Sequence, residues 1–368
     1  MKILQLGKFW PILGGVEKVM FDLACGLTAR GVACDMLCAV AEGEPQEIPL
    51  NGCGKVFAVP TLFKAKSTMI SPAMIERLRH TAADYDIIHV HHPDPMAALA
   101  LKMSGYKGKV VLHWHSDILR QHMLLKAYRP LQSWLLDRAD RVICTSPNYA
   151  AGSKELKRVA DKLRCVPIGI VPVRPDRNGA GEWGRRLGNR KVVFSLGRLI
   201  PYKGFDNLIL ASRSLPDDYV TVIAGSGPLK EKFEKLIAEK DLKDKVLLLG
   251  RISDEDRDAL MGAASVFVLP SVEKTEAFGI VLIEAMSAGV PVVATKIPGS
   301  GTSWVNADGI SGINVACNDP EALARAIVKV VDPLNHPDSF AVNARRRWEE
   351  LFTLDRFIDN IAAIYREL

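Results

Sequence analysis

The chain lacks any apolar run of about 18 residues, the shortest that spans a bilayer as a helix, so nothing in its 368 residues reads as a membrane crossing. It also lacks a CxxC pair. Seven cysteines stand apart at positions 25, 34, 38, 53, 144, 165 and 317, which reads as reduced thiols of a cytoplasmic protein rather than a disulfide frame or a zinc set. No GxGxxG follows a strand, which excludes an ordinary dinucleotide-dependent dehydrogenase. The opening residues 1–7 have neither the apolar core nor the cleavage site of a signal peptide and read as a first buried strand. Nothing marks a nucleic-acid partner. Charge is present but unevenly placed: residues 1–180 carry 24 Lys and Arg against 16 Asp and Glu, and residues 181–368 carry 24 against 26. A basic half suggests contact with something anionic; the competing reading is a scatter of solvated charges.

The length suits roughly two domains. In the first half, strands are expected at 2–6, 32–37, 55–59, 86–90, 109–112, 141–144 and 162–166. Helices are expected at 16–30, 72–83, 96–103 and 121–138, with Pro130 kinking the last. Residues 41–54 read as a surface loop. Residues 60–80 interleave Lys64, Lys66, Arg77 and Arg79 with apolar side chains, which suits either an anionic bilayer surface or a loop followed by an ordinary helix. Residues 171–190, rich in proline and glycine, read as linker and loop. Beyond them strands at 191–196, 219–224, 245–249, 265–269 and 291–294 alternate with helices at 203–214, 228–240, 253–262 and 279–288. Helices at 319–331, 336–351 and 355–368 complete the chain. Strand–helix alternation on both sides of a linker predicts an α/β protein of two doubly wound parallel-sheet domains, 1–170 and 171–354.

Polar residues gather where parallel strands end. Gly14-Gly15 precedes a helix, a phosphate-cradling arrangement that could equally be a tight turn. His89, His91 and His92 end one strand, with 89 and 91 on one face; no carboxylate completes a metal site, and lining a cleft is the reading preferred. His115 and Asp117 follow another strand. In the second half, Gly197, Arg198 and Lys203 place two cations after a strand, matching a diphosphate in sign. Gly225 and its neighbours form a turn that lets backbone approach a ligand, and Arg251-Ile252 offers an edge for a nucleobase. Residues 275–291, TEAFGIVLIEAMSAGVP, join a polar loop to a helix N-terminus and hold Glu276 and Glu284 eight residues apart. Helix N-termini attract anions, and carboxylates accept bonds from vicinal hydroxyls, so this stretch suits a phosphorylated sugar.

The strings GRL-x3-KG, G-x-GP and LPS-x4-EAFG-x4-EA-x3-G-x-PV stand in that order between Gly197 and Val292. In this the chain resembles the retaining glycosyltransferases of family 4. The resemblance implies a GT-B fold, two Rossmann-like domains facing a central cleft, with residues 355–368 packing back on the first. It implies that Arg198 and Lys203 clamp the donor diphosphate, that Glu284 takes the ribose, and that Glu276 with Ala277, Phe278 and Gly279 holds the sugar. It further implies that Gly14 and Gly15 close over the phosphates and that His115 lies by the reacting carbon, with Asp117 as a helper and His91 and His92 on the acceptor side. The first domain is read as lacking an Asp-x-Asp metal site, so no cofactor and no obligatory divalent cation are expected.

The strings HSDI, SPNY, TEAFGI and GSGTSWVN resemble bacterial enzymes that assemble lipopolysaccharide O-antigen. They imply a GDP-mannose donor, with UDP-hexoses as the alternative. The acceptor would be a lipid-linked saccharide at the cytoplasmic face of the inner membrane, with the enzyme peripheral to it. A non-catalytic nucleotide-sugar-binding or scaffold protein is the reading from another class; the intact Arg198, Lys203, Glu276 and Glu284 argue against it.

Overall fold

A computed structural model describes residues 1–12, 14–65, 68–119, 122–332 and 340–368, and only the backbone at 122–124. Lys66, the first residue of the helix expected at 121–138 and the first turn of that expected at 336–351 fall outside the described residues. Two compact units emerge, Met1–Ile170 with Leu354–Leu368, and Val171–Thr353. Leu354 thus belongs to the first unit, where its amide donates to the Ile170 carbonyl at 3.0 Å.

The first unit runs β1 (Lys2–Trp10), α1 (Gly15–Ala29), β2 (Ala33–Val40), β3 (Gln46–Leu50), β4 (Gly54–Val59), β5 (Phe63–Ala65), β6 (Thr68–Ile70), α2 (Pro72–Thr81), β7 (Ile87–His92), α3 (Pro95–Ser104), β8 (Lys109–Trp114), α4 (His122–Arg138), β9 (Arg141–Cys144), α5 (Pro147–Gly152), α6 (Lys154–Lys157) and β10 (Leu163–Cys165). Its main sheet has the order β10-β9-β8-β7-β1-β2-β4-β3. Only β3 runs antiparallel, on the outer edge. The central strands are buried along their length because helices cover both faces, so they read as apolar runs rather than alternating ones.

Three expectations here are corrected. The loop expected at 41–54 contains β3, which buries only Leu50 and so shows no period-two pattern. The loop expected before α2 contains the β5–β6 hairpin. β1 continues four residues past Leu6 through a register shift, after which Phe9 and Trp10 pair with Ala39 and Val40. At the shift Gly7 and Lys8 take φ of 124° and 62°, a left-handed backbone that the lysine side chain alone would not signal.

The second unit runs α7 (Arg177–Arg186), β11 (Lys191–Leu196), α8 (Phe205–Ala211), β12 (Tyr219–Ala224), α9 (Lys230–Glu239), β13 (Val246–Gly250), α10 (Asp254–Ala263), β14 (Ala264–Leu269), α11 (Ile280–Ser287), β15 (Val292–Thr295), α12 (Thr302–Val305), β16 (Gly312–Val315), α13 (Pro320–Val331) and α14 (Phe340–Leu351). Its sheet, β13-β12-β11-β14-β15-β16, is wholly parallel. Helix α15 (Leu354–Arg366) then rejoins the first unit, packing on α1.

The linker expected at 171–190 contains α7. Gly179-Ala180-Gly181-Glu182-Trp183-Gly184 spells GxGxxG, but within this helix, where it cradles nothing. Trp183 is buried and donates to Asp256 at 3.1 Å, and Gly179 and Gly262 lie where α7 and the segment before it meet α10. Packing outweighs the poor helix propensity of glycine here. The helix expected from 203 begins only at Phe205, after a 3-10 turn over Pro201–Lys203, so Lys203 precedes the helix. Strand β16 was not expected. Among the described residues no helix is long and apolar enough to cross a membrane.

Candidate active site

In the second unit the strand order reverses at β11, which lies between β12 and β14. Open parallel sheets bind ligands at such a point, beyond the carboxyl ends of the strands. Four neighbouring loops converge there, following β13, β12, β11 and β14. The Gly197 amide donates to the Ala224 carbonyl at 3.0 Å, Leu199 to Ser226 at 2.9 Å, and Gly225 to Gly250 at 2.7 Å. A Cβ on Gly225 would stand 1.9 Å from the Gly197 carbonyl oxygen, and one on Gly227 2.5 Å from that of Leu199. These glycines therefore let loop backbone approach loop backbone, where the sequence suggested approach to a ligand.

Gly204 does the same on the other side. Its φ is 63°, and a Cβ there would meet the Pro270 carbonyl at 2.2 Å. The close approach lets Val272 donate to the Tyr202 carbonyl at 2.8 Å. Lys203 is thereby brought to Glu276, with Nζ donating to Oε2 at 2.6 Å, and Ser271 Oγ donates to the same oxygen at 2.9 Å. Both side chains of the pair are 11% exposed. The sequence assigned Lys203 and Glu276 to different parts of a ligand; in the folded chain they are one ion pair. Ser300 Oγ donates to the Glu276 carbonyl, and Gly301 donates to that of Ala277 at 2.8 Å, fixing the loop. Ala277 and Phe278 are buried, and Gly279, at φ 80°, turns the chain into α11. Arg198 and Arg251 are exposed at the ends of their strands, and Ile252 is half-buried. Glu284 is half-buried on α11, within the field of Arg257, which itself holds Asp254 and Asp258 at 2.8 and 2.7 Å.

In the first unit Gly14 caps α1 in extended conformation, and both it and Gly15 are exposed. His91 and His92 are fully buried, so neither lines an open face of this unit. His92 stacks on Trp114, centroids 3.7 Å apart, because β7 and β8 place the two residues opposite each other. His115 is 4% exposed. Its Nε2 meets His91 Nδ1 at 2.9 Å, and His91 Nε2 meets Gln5 Oε1 at 2.9 Å. Burial drives His89, His91 and His115 well below the usual histidine range and takes His92 and His113 down to about 3, so all five are neutral. Asp117 is committed elsewhere: its Oδ1 accepts from Trp114 Nε1 at 2.9 Å and Ser153 Oγ at 2.7 Å. It braces the loop after β8, which weakens its candidacy as a chemical helper.

The first unit, expected to lack an Asp-x-Asp metal site, does carry that string as Asp84-Tyr85-Asp86, before the N-terminal end of β7 and so at the opposite end of the strand from His91 and His92. Asp86 there accepts from the Lys2 amide at 2.7 Å. The cluster of ligand-type atoms found among the described residues is His91, His113 and His115, within 4.8 Å of one another. Sequence reasoning missed Gln5, Lys8 and Asp94. Gln5 left a signal, a lone amide inside the apolar run of β1. Lys8 donates from its amide to Asp94 Oδ2 and from Nζ to the Pro93 carbonyl, a buried pairing across β1 and the β7–α3 loop that has no sequence signature.

Comparison with known proteins adds three kinds of likeness. The family model described as glycosyl transferases group 1 matches residues 184–347, and that described as Glycosyltransferase Family 4 matches residues 13–174. The chain is 33% identical over 374 residues to the O-antigen chain mannosyltransferase C of Escherichia coli, covering 100% of this chain and 99% of that one. It is 32% identical to the D-rhamnosyltransferase WbpZ of Pseudomonas aeruginosa, covering 96% and 92%. In fold it resembles the crystal structure of Anabaena HepE in complex with UDP, at TM-score 0.80 and 21% identity over the full length of both chains.

Proposed function

This chain belongs to the glycosyltransferase family described by those two models, and from that premise we propose that it transfers a hexose, mannose first among candidates, from a GDP-linked donor to a lipid-linked saccharide, with retention at the anomeric carbon. The observation that carries the reading is the Lys203–Glu276 pair at 2.6 Å, set where four strand-end loops and the N-terminus of α11 meet. An ammonium has three donors and Glu276 takes one, so Lys203 keeps two for a phosphate while its position is fixed in advance. Arg198 and the α11 dipole add positive potential where charge builds on the leaving diphosphate, which is stabilisation of the transition state by preorganised electrostatics.

Glu276 and the amides that follow it hold the transferred sugar, and Glu284 accepts the ribose hydroxyls. Neither is assigned proton transfer. Retention follows from front-face attack, with the departing phosphate taking the acceptor proton. No divalent cation is required, a proposal consistent with Lys203 and Arg198 supplying the charge a metal would otherwise supply. The likeness to the E. coli mannosyltransferase supports mannose and an O-antigen type of acceptor. The first unit would hold that acceptor at the cytoplasmic face of a membrane, and its excess of basic residues supports an anionic surface. A thermal-shift panel of GDP, UDP, ADP and their sugars tests the donor. Stabilisation by GDP and GDP-mannose alone is expected, and stabilisation by UDP compounds alone would replace the donor with a UDP-hexose.

A further inference from the structure

Four histidines of the first unit stand side by side on β7 and at the end of β8, with Gln5 of β1 and Tyr365 of α15 closing the row. Hydrogen-bond capacity fixes the protons on His89, His91 and His115. Gln5 Nε2 donates to Tyr365 OH at 3.1 Å and points at Cys34 Sγ at 3.7 Å, so its Oε1 faces His91. An amide oxygen only accepts, so His91 Nε2 carries a hydrogen. A neutral imidazole has one N–H, which leaves His91 Nδ1 bare. His115 Nε2 lies 2.9 Å from that bare nitrogen and must bring the proton. His115 Nδ1 is then the lone pair, and it is buried with no partner among the described residues. At the other end Tyr365 OH, accepting from Gln5, gives its proton to His89 Nδ1 at 2.5 Å.

We propose that Tyr365, Gln5 and His91 are positioning residues that hold His115 in its Nε2–H tautomer, so that Nδ1 is the acceptor for a hydroxyl of the bound sugar or saccharide. The inference rests on the reading of His115 as a group beside the reacting carbon. Burial keeps the whole row neutral, which is what makes each imidazole a one-donor, one-acceptor link. A metal on His91, His113 and His115 fits the row less well. Two imidazoles on one zinc at ~2.0–2.1 Å would hold their nitrogens roughly 3.3 Å apart, against the 2.9 Å hydrogen bond between His91 and His115. The rings of His113 and His115 lie face to face, 4.1 Å apart and 12° from parallel, so their in-plane lone pairs run alongside each other and do not converge. The cluster also contains no carboxylate to neutralise a buried cation.

The test is a two-bond proton–nitrogen NMR spectrum of the full chain labelled with 15N-histidine, in which protonated and bare ring nitrogens are widely separated. The His115 signals are assigned by their loss in His115→Asn. In the wild type His115 is expected with Nε2 protonated and Nδ1 bare; Nδ1 protonated, or the two averaged, overturns the proposal. Gln5→Met removes the acceptor and is expected to mix the His115 tautomers and lower kcat by about 10- to 100-fold, with the donor KM changed less than about twofold. Gln5→Glu keeps an acceptor oxygen and is expected to restore both tautomer and rate. If Gln5→Met does not fold, Tyr365→Phe, which frees the Gln5 amide to turn over, is expected to shift both readouts in the same direction. Tautomer mixing with kcat unchanged removes the functional role of the row, and thermal-shift binding of GDP in the same variant then tells whether the donor site itself stands.

Discussion

Lys203 is nine-tenths buried, which an amine side chain tolerates because Glu276 sits 2.6 Å away. Removing either partner strands the other, so Lys203→Ala is expected to lower kcat by about 100- to 1,000-fold, the usual loss of one preorganised donor. Nucleotide affinity should fall with it, and steady-state kinetics with a nucleotide titration read both. The histidines make a second residue-scale prediction. His89, His91, His92, His113 and His115 stay neutral when folded but take up protons when unfolded, below the ordinary value near 6.5. The unfolded state therefore binds more protons, and stability is present above about pH 6.5 and lost as pH falls towards the depressed folded values. The urea midpoint of the first unit should drop between pH 7 and pH 5 and stay flat from pH 7 to pH 8. Arg198, exposed and without such a network, should affect donor binding while leaving stability within about 0.5 kcal/mol.

At the scale of elements, the site depends on loops that touch through glycine. Gly225→Ala places a Cβ 1.9 Å from the Gly197 carbonyl oxygen, at a φ of 136°. The β11 and β12 loops must separate, at about 1–3 kcal/mol, and Arg198, one residue beyond Gly197, moves with them. Donor affinity should fall more than the melting temperature of the second unit, a comparison that calorimetry with and without GDP makes directly. Helix α15 is an element of a different kind. Phe357, Ile358, Ile361, Ile364 and Tyr365 are all at least 95% buried in the first unit, and Ile358 lies over Gly26, where a Cβ would meet it at 2.0 Å. Burying each such side chain stabilises by about 1.5–3 kcal/mol, so their sum is comparable with the whole stability of a domain, about 5–15 kcal/mol. Ending the chain at Thr353 should therefore unfold the first unit; loss of its cooperative melting transition is the readout.

For the whole molecule, two units of similar topology carry different burdens. The second gathers cations, a carboxylate pair and loop amides at its strand reversal. The first gathers buried neutral imidazoles and carries the surplus of basic residues. Transfer is expected to continue in excess EDTA; abolition reversed by magnesium would overturn the metal-free reading. Binding to liposomes is expected to rise with anionic lipid and to weaken with salt, since the attraction is screened within about 10 Å at 0.1 M. Equal sedimentation with neutral and anionic vesicles would remove the role proposed for the basic half.

Much of this was legible in the residues. Strands 141–144, 191–196 and 219–224 were placed to the residue, because buried parallel strands leave short apolar runs between turn residues. The order of Arg198, Lys203, Glu276 and Glu284 identified the family because the first three follow strand ends and Glu284 lies on the short helix after them, which local sequence marks. What the sequence concealed was set by contacts between distant segments. It hid α7, where packing on α10 overrides the three glycines of the helix, and edge strand β3, which buries too little to show a period. It hid the ion pair of Lys203 with Glu276, 73 residues apart, and the commitment of Asp117 to Trp114 and Ser153. The row from Tyr365 through Gln5 and His91 to His115 spans the chain from its first strand to its last helix. Residue order determines which groups are available and which local elements form; only tertiary structure decides which of them share a proton, because a hydrogen bond depends on distances that folding alone closes.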